Sequence, residues 1–220
     1  MIPAEPSLLE HLAHAAQRLE SESPLAILEW TFAQYEDVAM ACSFEDLALL
    51  HMVHLVRPET PIVFLNTGGH FPETLDFVAN VARDWSLNLV ETSAPVNAPA
   101  CGEAGCCAAR KVEPLRDALE GRDAWITSVK RVDAPTRAAM AVVSWDEKFS
   151  LVKVNPLATW SDDDVSYYLA ANDLATHPLW QEGYASIGCA AVTQKPLDAR
   201  DRRSGRWAGS ATMECGLHEA

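Results

Sequence analysis

From Asp37 to Thr92 short apolar runs alternate with amphipathic stretches, and this alternation constrains the fold more than any other feature. Asp37 to Ser43 reads as strand, Glu45 to Val56 as helix, Pro61 to Asn66 as strand, Pro72 to Trp85 as helix and Leu87 to Thr92 as strand. Short strands that are apolar throughout need cover on both faces, which a βαβαβ succession supplies by laying helices over a parallel sheet. The pattern predicts an α/β fold with an open, mostly parallel sheet and helices on both faces. Ala109 to Glu120 continues it as helix, Ala124 to Val129 and Ser150 to Val154 as strands, and Ser161 to Asn172 as helix. Ser161 can cap that last helix, and three aspartates fill its first turn, where the helix dipole favours them. Upstream, Leu8, Leu9, Leu12, Ala15 and Leu19 recur at helical spacing, and Leu25, Leu28 and Phe32 suggest a second helix begun after Ser23-Pro24. Ala94 to Ala100 reads as a surface loop, and loop and turn chemistry dominates from Pro178 onward. The expected organisation is a helical segment 1–35 packed on the core, an α/β domain 36–200 and a flexible tail 201–220.

Composition narrows the function. With 220 residues and 49% hydrophobic against 22% charged, the chain can bury one sizeable core. No apolar run reaches the ~18 to 20 residues of a membrane helix, and the first residues lack a basic segment followed by an apolar block. The chain reads as soluble and cytoplasmic. A formal charge of −14 repels phosphate backbones and argues against nucleic-acid or anionic-membrane binding. Residues 1–100 hold three bases against fourteen acids, and residues 101–220 hold fourteen against seventeen. A small anionic ligand should therefore be gripped by the second half, where Lys130, Arg131, Arg137, Lys153, Arg202, Arg203 and Arg206 lie. Solvated surface charge explains most of these singly, but less easily the cluster Arg200, Arg202, Arg203 and Arg206.

In an open parallel sheet ligands bind beyond the carboxyl ends of the strands. Three loops stand there: Cys42 to Asp46, Asn66 to His70, and Ser128 to Arg131. Ser43 to Asp46 joins strand to helix, so its amides can receive a phosphate or sulfate, or Ser43 can simply cap the helix. Gly68 and Gly69 allow close backbone approach to a planar ligand, as they would allow an ordinary turn. Six cysteines, at 42, 101, 106, 107, 189 and 215, point to metal or redox chemistry more than to a disulfide framework in a chain of this kind. Adjacent Cys106 and Cys107 at a helix start suit a metal or iron-sulfur cluster, with Cys189 as a third ligand; small buried core residues are the alternative. Cys215 near the carboxyl end is placed to attack a bound substrate, with His218 available to orient it or lower its pKa, unless it is merely an exposed thiol.

Seven ordered motifs then resemble one family. They are Asn66 to Leu75, Cys106-Cys107 with Arg110 to Leu115, Pro135-Thr136-Arg137, Lys153 to Leu157, Gly183-Tyr184 with Ser186 to Cys189, Ser204 to Trp207, and Glu214 to His218. Together they resemble the assimilatory sulfonucleotide reductases, most closely the iron-sulfur branch that acts on adenylyl sulfate (APS). The resemblance implies an adenine nucleotide alpha hydrolase-like fold and an enzyme of sulfate assimilation that reduces APS to sulfite and AMP, with thioredoxin or glutaredoxin as electron donor. It implies Cys215 as a nucleophile that forms S-sulfocysteine, assisted by His218. It assigns substrate binding to Ser43, Thr67, Gly68, Gly69, Lys130, Arg131, Arg137, Arg203 and Arg206, and a 4Fe-4S cluster to Cys106, Cys107 and Cys189. A homo-oligomer is admitted.

The sequence also departs from that family. Cys189-Ala190-Ala191-Val192 has valine where the fourth cluster ligand belongs. Three accounts follow: a cluster on three protein ligands, Cys101 as substitute, which a short loop makes the least attractive, or loss of the cluster. The loop Ser43-Phe44-Glu45-Asp46 is about two residues shorter than usual and lacks its glycine, Ser128 stands where glycine is usual, and Lys130 replaces an arginine. The rival functions are a cluster-free reductase of the 3'-phosphorylated substrate (PAPS), a non-catalytic iron-sulfur or thiol sensor, and an ATP-using tRNA-thiolation enzyme. The last is disfavoured because SGGxDS and an RNA-binding basic surface are missing. A tail lid is permitted by glycine and serine near Gly205, Gly209 and Ser210.

Overall fold

The computed structural model describes residues 5–198, 200–208 and 214–218. Helices α1 (Pro6–Leu19) and α2 (Pro24–Gln34) precede strand β1 (Val38–Ala41), then α3 (Ala48–Val56), β2 (Ile62–Asn66), α4 (Pro72–Asp84) and β3 (Leu89–Ser93) follow in alternation. After them come α5 (Glu113–Ala118), β4 (Ala124–Ile126), β5 (Val143–Asp146), β6 (Leu151–Val154), α6 (Asp162–Ala171) and α7 (Pro178–Gln181). The six strands form one sheet in the order β3-β2-β1-β4-β6-β5, all parallel except β5, which pairs antiparallel with β6 at the edge. The order runs outward from β1 to β3 on one side and restarts with β4 on the other, so the topological switch point lies between β1 and β4. In such a sheet the ligand crevice opens there.

Strand residues alternate between two cores. Val38, Met40, Ile62, Phe64, Ala124 and Ile126 face the larger one, which buries Leu12 and Leu19 of α1, Ile27 and Leu28 of α2, Leu49 and Leu50 of α3, Phe77 and Val78 of α4, and Val165 and Leu169 of α6. Ala39, Val63 and Trp125 face the smaller one, closed by Leu115 and Leu119 and, from the tail, by Leu217. That face has thin helical cover, so the tail contributes to it directly. No helix among the described residues is long and apolar enough to cross a membrane.

Several expectations shift. Helix α3 begins at Ala48, not Glu45, and Phe44, just before the expected start, adopts a left-handed φ of 57°. Ser43 therefore does not cap it: its Oγ accepts from the Glu45 amide, and Asp46 Oδ1 takes the Ala48 amide instead. A bulky residue at positive φ costs about 1–3 kcal/mol, and this one is fully buried edge-on against Phe64. The helix expected over Ala109 to Glu120 opens as a π-helical turn, Ala108–Val112. Pro114, which has no amide hydrogen, follows directly, and the α pattern restarts around it. Strand β5 was not expected at all. Ser161 does cap α6, in a reciprocal box with Asp164.

Gly205 is a packing glycine: a Cβ there would run into the backbone oxygens of Gln194 and Lys195. Bridge pairing of Thr193 with Arg206 and the Gln194 amide on Gly205 O knit residues 204–207 to the loop after Cys189. Gly209 and Ser210, the other expected lid residues, lie outside the described residues.

Candidate active site

Two adjoining cavities open at the carboxyl ends of β1, β2 and β4, where the switch point predicts them. They measure about 170 and 120 Å³ and share Ser43, His70, Lys111, Ser128, Leu217 and His218 in their walls. The larger is lined by Lys130, Arg137, Arg202, Arg203 and Arg206, and Cys215 stands in it. The smaller is apolar, walled by Val63, Phe64, Leu65 and Trp125. Each is below the roughly 300 Å³ at which small-molecule sites begin, and Leu217 and His218 of the tail occupy the boundary between them.

Most of the cations are held by carboxylates. Lys130 Nζ lies 2.9 Å from Asp133 Oδ1 and 3.5 Å from Asp162. Arg202 binds Glu45 at 2.6 Å and Asp162 at 2.8 Å. Arg137 grips Glu214 in a fork, Nε to Oε1 at 2.8 Å and Nη2 to Oε2 at 2.7 Å, with Thr136 Oγ1 donating to the same carboxylate and Arg203 Nη2 at 3.6 Å. Lys148 Nζ donates to Gly216 O. The tail is thus docked by charge. Among the described residues Arg206 and Lys111 have no carboxylate within ion-pair distance. Arg206 donates to Ile187 O at 3.1 Å and stacks on Trp207 at 4.6 Å, while its Nε is buried without a partner. Burial, only partly offset by Glu45, lowers its pKa from the ordinary value. An anion entering the cavity meets these two cations uncontested.

The expected residues separate into three groups. Ser43, Lys130, Arg137, Arg203, Arg206, Cys215 and His218 converge on the cavities. Arg131 does not: its guanidinium forks onto Glu20 at 2.5 and 2.9 Å and reaches Met140 O, which fastens α1 to the loop after β4. Thr67, Gly68 and Gly69 also turn away, toward the cysteines. Thr67 Oγ1 lies 3.3 Å from Cys189 Sγ, and Arg110 clamps Thr67 O at 2.6 Å.

His218 departs from its expected role as well. Its ring stacks on Trp125, with centroids 5.9 Å apart and planes 9° apart. Burial, followed by the charges of Lys153, Arg137, Arg203 and Lys111, pushes its pKa well below the usual histidine value. It is a neutral ring on the floor of the apolar cavity, not a cation beside Cys215. Sequence reasoning missed Lys111 and His70 as wall residues. His70 Nε2 is 2.9 Å from Leu65 O, which makes Nε2–H the donor and leaves the buried Nδ1 an acceptor without a partner.

The remaining thiols sit beside these cavities, all reduced. Cys106 and Cys107 sulfurs are 3.9 Å apart at the head of the π-helical turn, and the Gly102 amide donates to Cys106 Sγ at 3.4 Å. Cys189 follows Gly188 in the loop that also seats Arg206, and the Ala190 amide bonds Gly69 O at 2.7 Å. The Cys101 sulfur packs against Gly69, whose carbonyl takes that Ala190 amide. Among the described residues no three His, Cys, Asp or Glu side chains converge on a point as a single metal ion would need. A four-iron cluster asks for something else, one thiolate on each of several irons. Thiols on neighbouring loops, which touch where Gly102 packs on Val192, with a backbone amide already aimed at one sulfur, fit that requirement.

The phosphoadenosine phosphosulfate reductase domain family matches residues 37–195. The chain is 40% identical over 226 residues to an adenosine 5'-phosphosulfate reductase of Mycolicibacterium smegmatis, covering 97% of this chain and 96% of the relative. The fold is similar to that of a phosphoadenylyl-sulfate reductase from Candida auris, with a TM-score of 0.74 and 24% identity over 88% of this chain and 99% of that one. It is also similar to an FMN adenylyltransferase from Candida glabrata, with a TM-score of 0.65 and 16% identity over 90% and 70% of the two chains.

Proposed function

The chain belongs to the phosphoadenosine phosphosulfate reductase family, and on that premise we propose that it reduces adenylyl sulfate to sulfite and AMP, with Cys215 as nucleophile and a thioredoxin-type dithiol as electron donor. It is an oxidoreductase. The observation that carries the reading is a thiol, Cys215, standing in a cavity whose Arg206 and Lys111 have no carboxylate of their own.

The cations answer the main electrostatic difficulty, an anionic thiolate approaching an anionic sulfate. Arg206 and Lys111 neutralise the sulfate and the bridging phosphate, and the apolar cavity between Phe64 and Trp125 takes the planar base once Leu217 and His218 yield. Cys215 Sγ attacks the sulfate sulfur; the S–Sγ bond forms as the bond from sulfur to the phosphate oxygen breaks, and AMP leaves. One thiolate of the dithiol then attacks Cys215 Sγ and sulfite leaves as the Sγ–S bond breaks; the second thiol attacks the donor sulfur of the mixed disulfide, closes the donor disulfide and frees the Cys215 thiolate, the dithiol having supplied the two electrons. Cys106, Cys107 and Cys189 would hold a four-iron four-sulfur cluster. When bound, that group supplies negative charge beside Lys111 and cross-links the loops that carry its ligands. The chain's own part is to hold Lys111 between those thiols and the cavity.

The test is parallel turnover of APS and PAPS by protein of measured iron content with excess thioredoxin. Sulfite and AMP should appear from APS with the larger kcat/KM. APS without thioredoxin should add one sulfonate mass to Cys215; no sulfite from either nucleotide would overturn the reading.

Gly188 makes a sharper local prediction. A Cβ at 188 would press into the Arg206 guanidinium. Gly188→Ala is expected to raise the KM for APS about tenfold or more, the worth of one charge-assisted contact, with thermal stability nearly unchanged. An unaltered KM would remove Arg206 from the binding set.

A further inference from the structure

The cluster reading leaves one iron without a protein ligand, because Val192 has no donor atom. We propose that Cys101 supplies the fourth thiolate, from a loop that lies against the very position Val192 occupies. This rests on the reading that the chain binds a four-iron cluster.

Three contacts carry it. Thr67 Oγ1 lies 3.3 Å from Cys189 Sγ, and a Cβ at Gly69 would meet both Thr67 Oγ1 and the Cys101 sulfur, so both thiols gather at the loop after β2. The sulfur of Cys101 is seated in a notch that glycine makes: a Cβ at Gly69 would stand 2.5 Å from it. Any other residue at 69 would push the thiol out. Gly102, the next residue, then joins the remaining corners. Its amide donates to Cys106 Sγ at 3.4 Å, and a Cβ on it would lie 3.1 Å from Val192 Cγ1. Position 192 and the Cys101 turn are therefore packed neighbours, so the turn that carries Cys101 borders the place where a thiol is missing.

The short connection between Cys101 and Cys106 is no obstacle. Gly102 at φ +100° and Gly105 at φ +77° turn the chain back on itself, a path open to glycine. Arg110 fixes the approach to this turn by donating to Pro99 O at 2.5 Å and Ala98 O at 2.9 Å. The turn thus meets Gly69 through Cys101 and Cys106 through the Gly102 amide, and thiolates are the ligands such clusters take.

The full chain, purified anaerobically and reconstituted with iron and sulfide, tests this by iron and sulfide content, visible absorbance and electron paramagnetic resonance. The parent should hold a complete four-iron centre. Cys101→Ala and Cys101→Ser should each lose at least one iron in four, show a three-iron signal on mild oxidation that the parent lacks, and bleach in air about tenfold faster or more, the scale on which metal-site partners act. Adding Val192→Cys to Cys101→Ala should restore the iron and remove the signal. Full iron content and parental air lifetime in both Cys101 variants would overturn the proposal while leaving the cluster reading intact, provided Cys107→Ser loses the centre. A loss that Val192→Cys does not restore would make Cys101 structural and overturn it too. A Cys101–Cys189 disulfide in parent protein that carries its full iron would do the same. A parent that takes up no iron would sink the cluster reading and this proposal together.

Discussion

Cys215→Ser is expected to lower sulfite production by at least about 10³-fold while APS still binds, because removing a nucleophile from a catalytic group acting as a unit costs on that scale or more. A serine hydroxyl is far less acidic than a thiol and cannot be released by a dithiol, so both halves of the cycle stop. Binding should survive because the cations proposed to contact the nucleotide, Arg206 and Lys111, are anchored independently of Cys215: Arg206 through Ile187 O and Trp207, Lys111 through the π-helical turn. The two readouts are sulfite release and the equilibrium affinity for APS. If the variant made sulfite as fast as the parent, the nucleophile would have to be sought elsewhere. If affinity fell with activity, the tail would be part of the binding site and not only of the chemistry.

Periodicity carried much of this architecture, and its failures have local causes. The βαβαβ alternation located β1, β2 and β3 and the helices between them to within a few residues, since β1 and most of β2 are buried on both faces and each helix on one, while β3 at the edge is only partly covered. Strand β5 escaped because Val142, Val143 and Trp145 give it only a short apolar signal, and its turn to β6 uses Ser150 at φ 57° where a glycine would have announced it. Just before the late start of α3 stands Phe44, whose left-handed backbone, buried edge-on against Phe64, has no signature in the sequence. Site residues show the same division. Cys215 and Arg206, singled out by motif and charge, both line the larger cavity. Arg131 looked equivalent to its neighbours, yet its carboxylate partner, Glu20, is 111 residues away. His218 was placed beside the thiol by adjacency, but a ring two residues past a glycine can turn into the sheet, and Trp125 captures it. Loop length makes Cys101 the least attractive substitute, and the notch at Gly69 that seats its sulfur has no signature in the spacing of the cysteines.

Arg137→Ala should produce the second large effect, because this side chain serves both the tail and the cavity. Its pair with Glu214 is buried, the two side chains being 7% and 3% exposed, and removing one partner of such a pair costs about 3–5 kcal/mol where nothing relaxes. Here relaxation is available: Glu214 belongs to the tail, which can leave the cavity and take its carboxylate into water. The expected result is therefore a modest fall in melting temperature, a tail newly open to protease, and a loss of about 10²–10³-fold in kcat/KM, the range for deleting one preorganised donor. Arg137→Ala with Glu214→Gln should recover part of the protease protection but none of the activity, which separates docking from chemistry. Acid should mimic the docking half. Burial alone would raise the Glu214 pKa, but the hydrogen bond and charge of Arg137, with Arg203 and Thr136, outweigh it and hold the carboxyl below its ordinary 4.5. A carboxylate depressed in the folded state adds stability that is complete above its unfolded pKa and drains away as pH falls through the folded one. Tail protection should thus be flat near neutrality and lost below about pH 4.5, with Glu214→Gln showing a shallower acid limb. Asp133, depressed by Lys130 and Arg137 against its own burial, accounts for the limb that remains. Identical acid limbs in parent and variant would mean that the Arg137 pair does not hold the tail.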